Sequence, residues 1–122
     1  MWSNCLFVAL GGGLGAVGRF LHSLIAAPWS FPVMTLLTNF LGAVVIGAVA
    51  QAAGQLPMSK SAVLFLKTGL CGGFTTFSTF SLETVELLEQ GRWAAGGGYI
   101  LASVGLCLAG VLLGRALVWK IL

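Results

Sequence analysis

Residues 69–81 read Gly-Leu-Cys-Gly-Gly-Phe-Thr-Thr-Phe-Ser-Thr-Phe-Ser, and they place a glycine pair and five hydroxyl side chains inside a long apolar segment. Glycine in the middle of a helix weakens that helix. A broken helix at membrane depth is tolerated only where it is buried in protein or lines a polar cavity. The stretch therefore predicts a membrane helix that is broken at Gly72-Gly73 and that handles an ion.

The composition of the whole chain indicates a membrane protein. Of 122 residues, 58% are hydrophobic and only 7% are charged, whereas soluble domains carry about 25% charged residues. The apolar runs are continuous and do not alternate, which favours helices over a barrel. Since one crossing needs about 20 residues, we expect a single all-α domain with four transmembrane helices. The predicted spans are about residues 4–27, 33–53, 62–88 and 94–117.

The charged residues and the cysteines argue against nucleic-acid binding and against a metal site. The six Lys and Arg residues are scattered along the chain, so no basic patch predicts nucleic-acid binding. They also bias the orientation of the chain only weakly, which raises the hypothesis of an antiparallel dimer. The three cysteines lack metal-ligand spacing and are expected to be buried small hydrophobes. The N-terminus has no basic region and no clear cleavage site, so we expect the first span to be retained.

Several residues inside the first two spans need an explanation. Gly13, Gly15 and Gly18 have the spacing of a dinucleotide fingerprint, but no strand precedes them and they lie within a span, so we expect close helix packing instead. Arg19 either lies near the helix end with its charge reaching water or attracts anions. Asn39 either bonds a neighbouring helix or lines a polar path. His22 is expected simply to lie at the interface.

The residues after the glycine pair suggest a polar face. Thr75, Thr79 and Glu83 follow an i, i+4, i+8 spacing, which is one face of a helix. Phe77 and Phe80 are three apart and lie near one another on that helix. They either pack or approach an ion, and a ring edge suits an anion while a ring face suits a cation. These residues alone leave the sign of the ion open.

Three stretches together carry a resemblance to a known family. They are Gly-Gly-Gly-Leu-Gly-Ala-Val-Gly-Arg at 11–19, Thr-Leu-Leu-Thr-Asn-Phe-Leu-Gly at 35–42 and the segment 69–81. In order and spacing the chain resembles the Fluc/CrcB family of small fluoride channels. The match covers the first three spans, and the fourth is matched mainly by position and hydrophobicity.

The resemblance implies an antiparallel, dual-topology homodimer with two pores that export fluoride passively across a microbial plasma membrane. It implies a structural Na⁺ at the dimer centre, held by backbone carbonyls at Gly72 and Thr75. Phe77 and Phe80 match the pore phenylalanines, and Arg19 matches a vestibule arginine. The other implied pore residues are Asn39, Thr35, Ser78, Thr79, Glu83, Tyr99 and Ser103.

Other functions are weighed against this one. A proton-coupled small multidrug exporter has similar size and topology, but its exchange depends on a glutamate in the first span. Here the acidic residues are Glu83, Glu86 and Glu89, all in or after the third span. No metal cluster, nucleophile–base pair or phosphate loop in context predicts an enzyme. A purely structural membrane subunit stays open as a further alternative.

Overall fold

The computed structural model describes residues 1–122 and contains only helices. We number the α-helices in chain order and call the region Lys60–Glu89 the third segment. Its helices are interrupted once by a π-helix and once by two extended residues. The elements are α1 (Trp2–Ser23), α2 (Val33–Gln55), α3 (Lys60–Val63), the π-helix Leu64–Cys71, α4 (Gly72–Phe74), α5 (Phe77–Glu89) and α6 (Trp93–Ile121).

Three of these helices are long and apolar enough to cross a membrane: α1, α2 and α6, with mean hydropathies of 1.4, 2.1 and 2.1. They correspond to the first, second and fourth predicted spans. The predicted first span continued to residue 27, but α1 ends at Ser23, because the chain must turn ahead of Pro28. The helix that contains the predicted fourth span is longer than that span, since α6 runs from Trp93 to Ile121. The third predicted span is present as shorter pieces.

Glycines set the distance between neighbouring helices. A Cβ atom on Gly11 or Gly15 would overlap backbone atoms of the third segment, and one on Gly73 would overlap α1. In the same way Gly47 and Gly114 let α2 and α6 lie backbone against backbone. The expectation that glycines 11–18 serve close packing is confirmed for Gly11 and Gly15, whereas a Cβ on Gly13 would meet nothing within 4 Å.

The break in the third segment lies later than the sequence predicts. Gly72 is helical, with φ −64° and ψ −35°, and Gly73 continues that helix. The extended residues are Thr75, at φ −79° and ψ 156°, and Thr76, at φ −150° and ψ 114°. The predicted break at Gly72-Gly73 is therefore wrong by about one turn of helix. Gly73 is needed for its contact with Gly12 of α1.

Most of the apolar surface stays uncovered in a single chain. Only 16 of 122 residues are buried, while large hydrophobic side chains of α1 and α6 are widely exposed. A small core of Phe80, Leu87 and Tyr99 joins α5 to α6. A single copy in water could not tolerate so much exposed apolar area, and this agrees with a membrane environment.

Candidate functional site

Asn39 of α2 holds the break open. Its side-chain nitrogen donates to the carbonyl of Thr76 at 3.0 Å, and the amide N–H of Thr76 donates to its side-chain oxygen at 2.7 Å. One side chain thus satisfies both backbone groups of a residue that has left the helix. Because unpaired backbone groups are costly away from water, this pairing explains why the chain can unwind here.

The hydroxyl of Thr76 then starts the next helix. It accepts from the amide N–H of Thr79 at 3.2 Å, which is an N-cap bond. It also donates to the hydroxyl of Thr79 at 3.0 Å and lies 3.3 Å from that of Ser78. Three neighbouring hydroxyls therefore surround the first turn of α5, where a helix is most attractive to negative charge.

The same arrangement takes the helical N–H donors away from two backbone carbonyls. In an unbroken helix the carbonyl of Gly72 would accept from Thr76, and that of Thr75 would accept from Thr79. Those two amide groups instead donate to Asn39 and to the Thr76 hydroxyl. The side chain of Thr75 donates back to the carbonyl of Cys71 at 2.9 Å. Gly72 is exposed, and a Cβ there would meet nothing within 4 Å.

The predicted polar face Thr75–Thr79–Glu83 is wrong at Thr75. Helical spacing applies only within one continuous helix, and Thr75 lies before the break whereas Thr79 and Glu83 lie on α5. Ser81, another of the hydroxyls in this stretch, donates back to the carbonyl of Phe77 at 2.9 Å. Two of the five hydroxyls therefore satisfy the local backbone, and three form the cluster at the start of α5.

Phe77 and Phe80 are neighbours on α5, with ring centroids 5.3 Å apart and planes inclined by 52°. Phe80 is 7% exposed, whereas Phe77 is 77% exposed on the open face of the chain. Both line a cavity of about 390 Å³, which we call the break cavity. It is bounded by α2, the break, α5 and α6, and its polar lining residues are Asn39, Thr75, Thr76 and Ser103.

Glu83 accepts two hydrogen bonds from other helices. The hydroxyl of Thr35 on α2 donates to one carboxylate oxygen at 2.7 Å, and that of Tyr99 on α6 donates to the other at 2.7 Å. Tyr99 is fully buried, and its ring lies 5.1 Å from that of Phe80 in an edge-on contact. Ser103 is one turn further along α6, and its buried hydroxyl has no partner. The resemblance implied all four polar residues; the structure brings Thr35 and Tyr99 to Glu83, whereas Ser103 lines the break cavity.

Arg19 of α1 contacts the helix that precedes the break. Its Nε donates to the carbonyl of Gly73 at 3.1 Å, so it compensates the carboxyl end of the helix that precedes the break. It also lines a second cavity of about 390 Å³ with Thr35, Thr76 and Thr79, which we call the Arg19 cavity. Thr76 is common to both cavities.

The sequence did not predict a role in this site for three of its residues. Thr76 was seen only as part of the hydroxyl run, although a threonine followed by a helical segment is a known N-cap signal. Thr38 was noted only as a neighbour of Asn39. His22, expected merely at the interface, has its Nδ1 2.6 Å from the Thr38 hydroxyl and so joins α1 to α2. No spacing rule connects His22 with Thr38, because their contact depends on how the helices pack.

Comparison with known proteins agrees with this architecture. A family model described as "CrcB-like protein, Camphor Resistance (CrcB)" matches residues 6–115. This chain belongs to the CrcB family. The match includes most of α1, all of α2, the break and most of α6, so the resemblance drawn from three stretches of sequence is confirmed over nearly the whole chain.

Curated members of the CrcB family are close in sequence. The "Fluoride-specific ion channel FluC" of Opitutus terrae is 44% identical over 116 residues, which cover 90% of this chain and 88% of that protein. The protein of the same name from Roseiflexus sp. is 46% identical over 115 residues, covering 91% and 93%. That from Shewanella denitrificans is 46% identical over 122 residues, covering 97% and 98%.

Proposed function

We propose that this protein is a fluoride-selective channel that lets fluoride leave the cell passively across the plasma membrane. Relatives that match nearly the full chain carry the name of a fluoride-specific channel. The observation that carries the proposal is the break pinned by Asn39, which opens the start of α5 beside Phe77 and Phe80. A channel needs such a polar interruption, whereas a purely structural subunit does not.

The electrostatics of the break favour an anion. The first turn of α5 presents the positive end of a helix dipole, and its hydroxyls can rotate to donate. The opposing negative end, at Gly73, is already bonded by the guanidinium of Arg19. An anion in a low-dielectric medium without partners costs tens of kcal/mol. Hydroxyls, an amide and ring edges replace water without a trapping charge.

We assign the path to residues on both sides of Thr76. The Arg19 cavity serves as the vestibule, where a positive charge attracts the ion. Asn39, Ser78 and Thr79 receive the ion at the break. Beyond it the path passes the edges of Phe77 and Phe80 and reaches a polar group shared by α2, α5 and α6. That group comprises Thr35, Glu83, Tyr99 and Ser103.

The exposed face suggests that two chains form the working channel. Phe77 lines the path and is 77% exposed in one chain, so a second copy is needed to enclose it. Since the basic residues hardly specify an orientation, we propose an antiparallel homodimer with two pores. Backbone carbonyls are suitable ligands for a hard cation. The carbonyls of Gly72 and Thr75 from two copies would supply four oxygens for a structural Na⁺ at the dimer centre.

The proposal is tested in proteoliposomes loaded with potassium fluoride and diluted into a fluoride-free medium. Valinomycin carries potassium outward, so a passive channel should release fluoride at once, as read by a fluoride electrode. Chloride-loaded vesicles should release their ion far more slowly, and a proton uncoupler should leave the fluoride rate unchanged. Fluoride release no faster than from protein-free vesicles would overturn the channel. A rate that collapses with the uncoupler would favour a proton-coupled exporter instead.

The sodium proposal has its own experiment. The purified protein is dialysed into N-methylglucamine salts and assayed with and without added Na⁺. We expect its thermal unfolding midpoint and its fluoride flux to fall without Na⁺ and to return when Na⁺ is restored. Equal stability and flux in both media would contradict the Na⁺ site while leaving the channel proposal intact.

A further inference from the structure

Arg92 joins the link between α1 and α2 to α5 and α6. Its Nη1 donates to the carbonyl of Ser30 at 2.9 Å, and its Nη2 donates to the Ser30 hydroxyl at 3.2 Å. Ser30 lies in the link between α1 and α2. The backbone of Arg92 is fixed as well, because its N–H donates to the carbonyl of Leu87 at 2.9 Å and its carbonyl accepts from Gly96 at 2.9 Å. One residue therefore connects α5, α6 and the link.

The residue after Ser30 reaches the pathway directly. The ring of Phe31 meets that of Tyr99 edge-on, with centroids 5.3 Å apart and an interplanar angle of 78°. Tyr99 is fully buried and donates to Glu83. Phe31 thus covers one side of the Tyr99 ring while Phe80 covers another. The position of the Tyr99 hydroxyl depends on where the link holds Phe31.

The same residues form the wall of a third cavity, of about 230 Å³, which contains Glu83, Glu86 and Arg92 together with the link from Trp29 to Pro32. It is the place where the Glu83 end of the polar group meets the outside of the chain. If the link moved away, Phe31 would leave Tyr99 and this third cavity would change shape.

We propose that Arg92 is a positioning residue for the Glu83 end of the ion path. By holding Ser30 it keeps Phe31 against Tyr99, and so keeps the Tyr99 hydroxyl on the Glu83 carboxylate. The effect on transport rests on the proposed channel function, but the effect on Tyr99 does not. An alternative role for Arg92, as a positive charge that attracts the ion at the mouth, would act without Phe31.

The first test is spectroscopic and needs no transport. Tyr99 is the only tyrosine, so protein labelled with 3-fluorotyrosine gives one ¹⁹F signal. Arg92→Met keeps the aliphatic stem and removes both donors, and we expect it to shift or broaden that signal. Lys120→Met, which removes an exposed charge near the end of α6, is the matched control and should leave the signal in place. A signal equally unmoved in both variants would overturn the proposal.

A milder variant covers the possibility that Arg92→Met does not fold. Ser30→Ala removes only the longer of the two bonds, so its signal should move in the same direction as that of Phe31→Ala, but less. A Ser30→Ala signal that coincides with the wild type while Phe31→Ala shifts would count against positioning by Arg92 through Ser30.

The second test uses fluoride flux and a double-mutant cycle. Loss of these two exposed bonds should lower flux by about threefold to tenfold. In a Phe31→Ala background, Arg92→Met should cause little further loss, because Arg92 acts through Phe31. Equal factors in both backgrounds would favour the charge at the mouth and refute positioning. No flux from wild-type protein would instead overturn the channel function, with the ¹⁹F result still standing.

Discussion

Asn39→Leu should collapse conduction because it removes the pairing that keeps the third segment open. The side chain makes two hydrogen bonds to the backbone of Thr76, at 3.0 and 2.7 Å. Each is worth about 1 kcal/mol net, and leaving a buried partner unpaired raises the cost to about 1–3 kcal/mol per group. With two groups left unpaired, the open geometry should thus lose about 2–6 kcal/mol, with a tenfold change for each 1.4 kcal/mol.

The assay is initial fluoride efflux from proteoliposomes that contain matched amounts of folded protein. We expect Asn39→Leu to be at least about tenfold slower than wild type, as the free energy above implies. Gln51→Leu is the control, since Gln51 lies on the same helix but outside the break cavity, and its flux should stay near that of the wild type. A well-folded Asn39→Leu protein that conducts within about twofold of wild type would refute this reasoning.

Three further variants test packing, the polar group and the rings. Gly15→Ala places a Cβ against the backbone of the third segment and should cost about 1–3 kcal/mol of stability, seen as a lower thermal unfolding midpoint. Gly13→Ala is the control, because its Cβ has open space and should not lower the midpoint. Equal midpoints in the two variants would contradict the proposed packing of Gly15. Tyr99→Phe deletes the 2.7 Å bond to Glu83 and should slow fluoride flux by about fivefold; an unchanged rate would remove that bond from the path. Phe80→Ile should cut flux while size-exclusion chromatography shows the same assembly, and full flux would mean that the ring only packs.

The long helices could be predicted because hydrocarbon imposes one rule on them. Between their terminal turns, α2 and α6 satisfy their backbone groups within the helix, so apolar length alone identifies the span. Glycine packing at Gly11 and Gly15 was also predictable, since small residues at helical spacing favour close approach. Where α1 ends depends on the turn before Pro28, which is a local effect that the hydrophobic pattern hardly reflects.

The break shows where prediction from sequence stops. Intrinsic helix weakness selected Gly72-Gly73, but the chain unwinds at Thr75 and Thr76, because Asn39 offers both a donor and an acceptor to Thr76. That partner is 37 positions away, and only tertiary packing sets its register. The contact between Arg92 and Ser30 could not be predicted for the same reason.

The membership of polar residues in one site was easier to predict than their contacts. Thr35, Asn39, Glu83 and Tyr99 are polar groups inside spans, and such groups must find one another or a polar path. The spacing rule correctly joined Thr79 to Glu83 on α5 but carried the face across the break, where it no longer applies.

The central claim is that fluoride moves passively and selectively through this protein. The most direct measurement is the reversal potential of the current across a planar bilayer that contains the purified protein, with fluoride, chloride and proton gradients set independently. The account predicts a reversal potential that follows the fluoride gradient and does not move when the chloride or proton gradient is changed. A reversal potential that follows chloride, or one that shifts with the proton gradient at fixed fluoride, would contradict it.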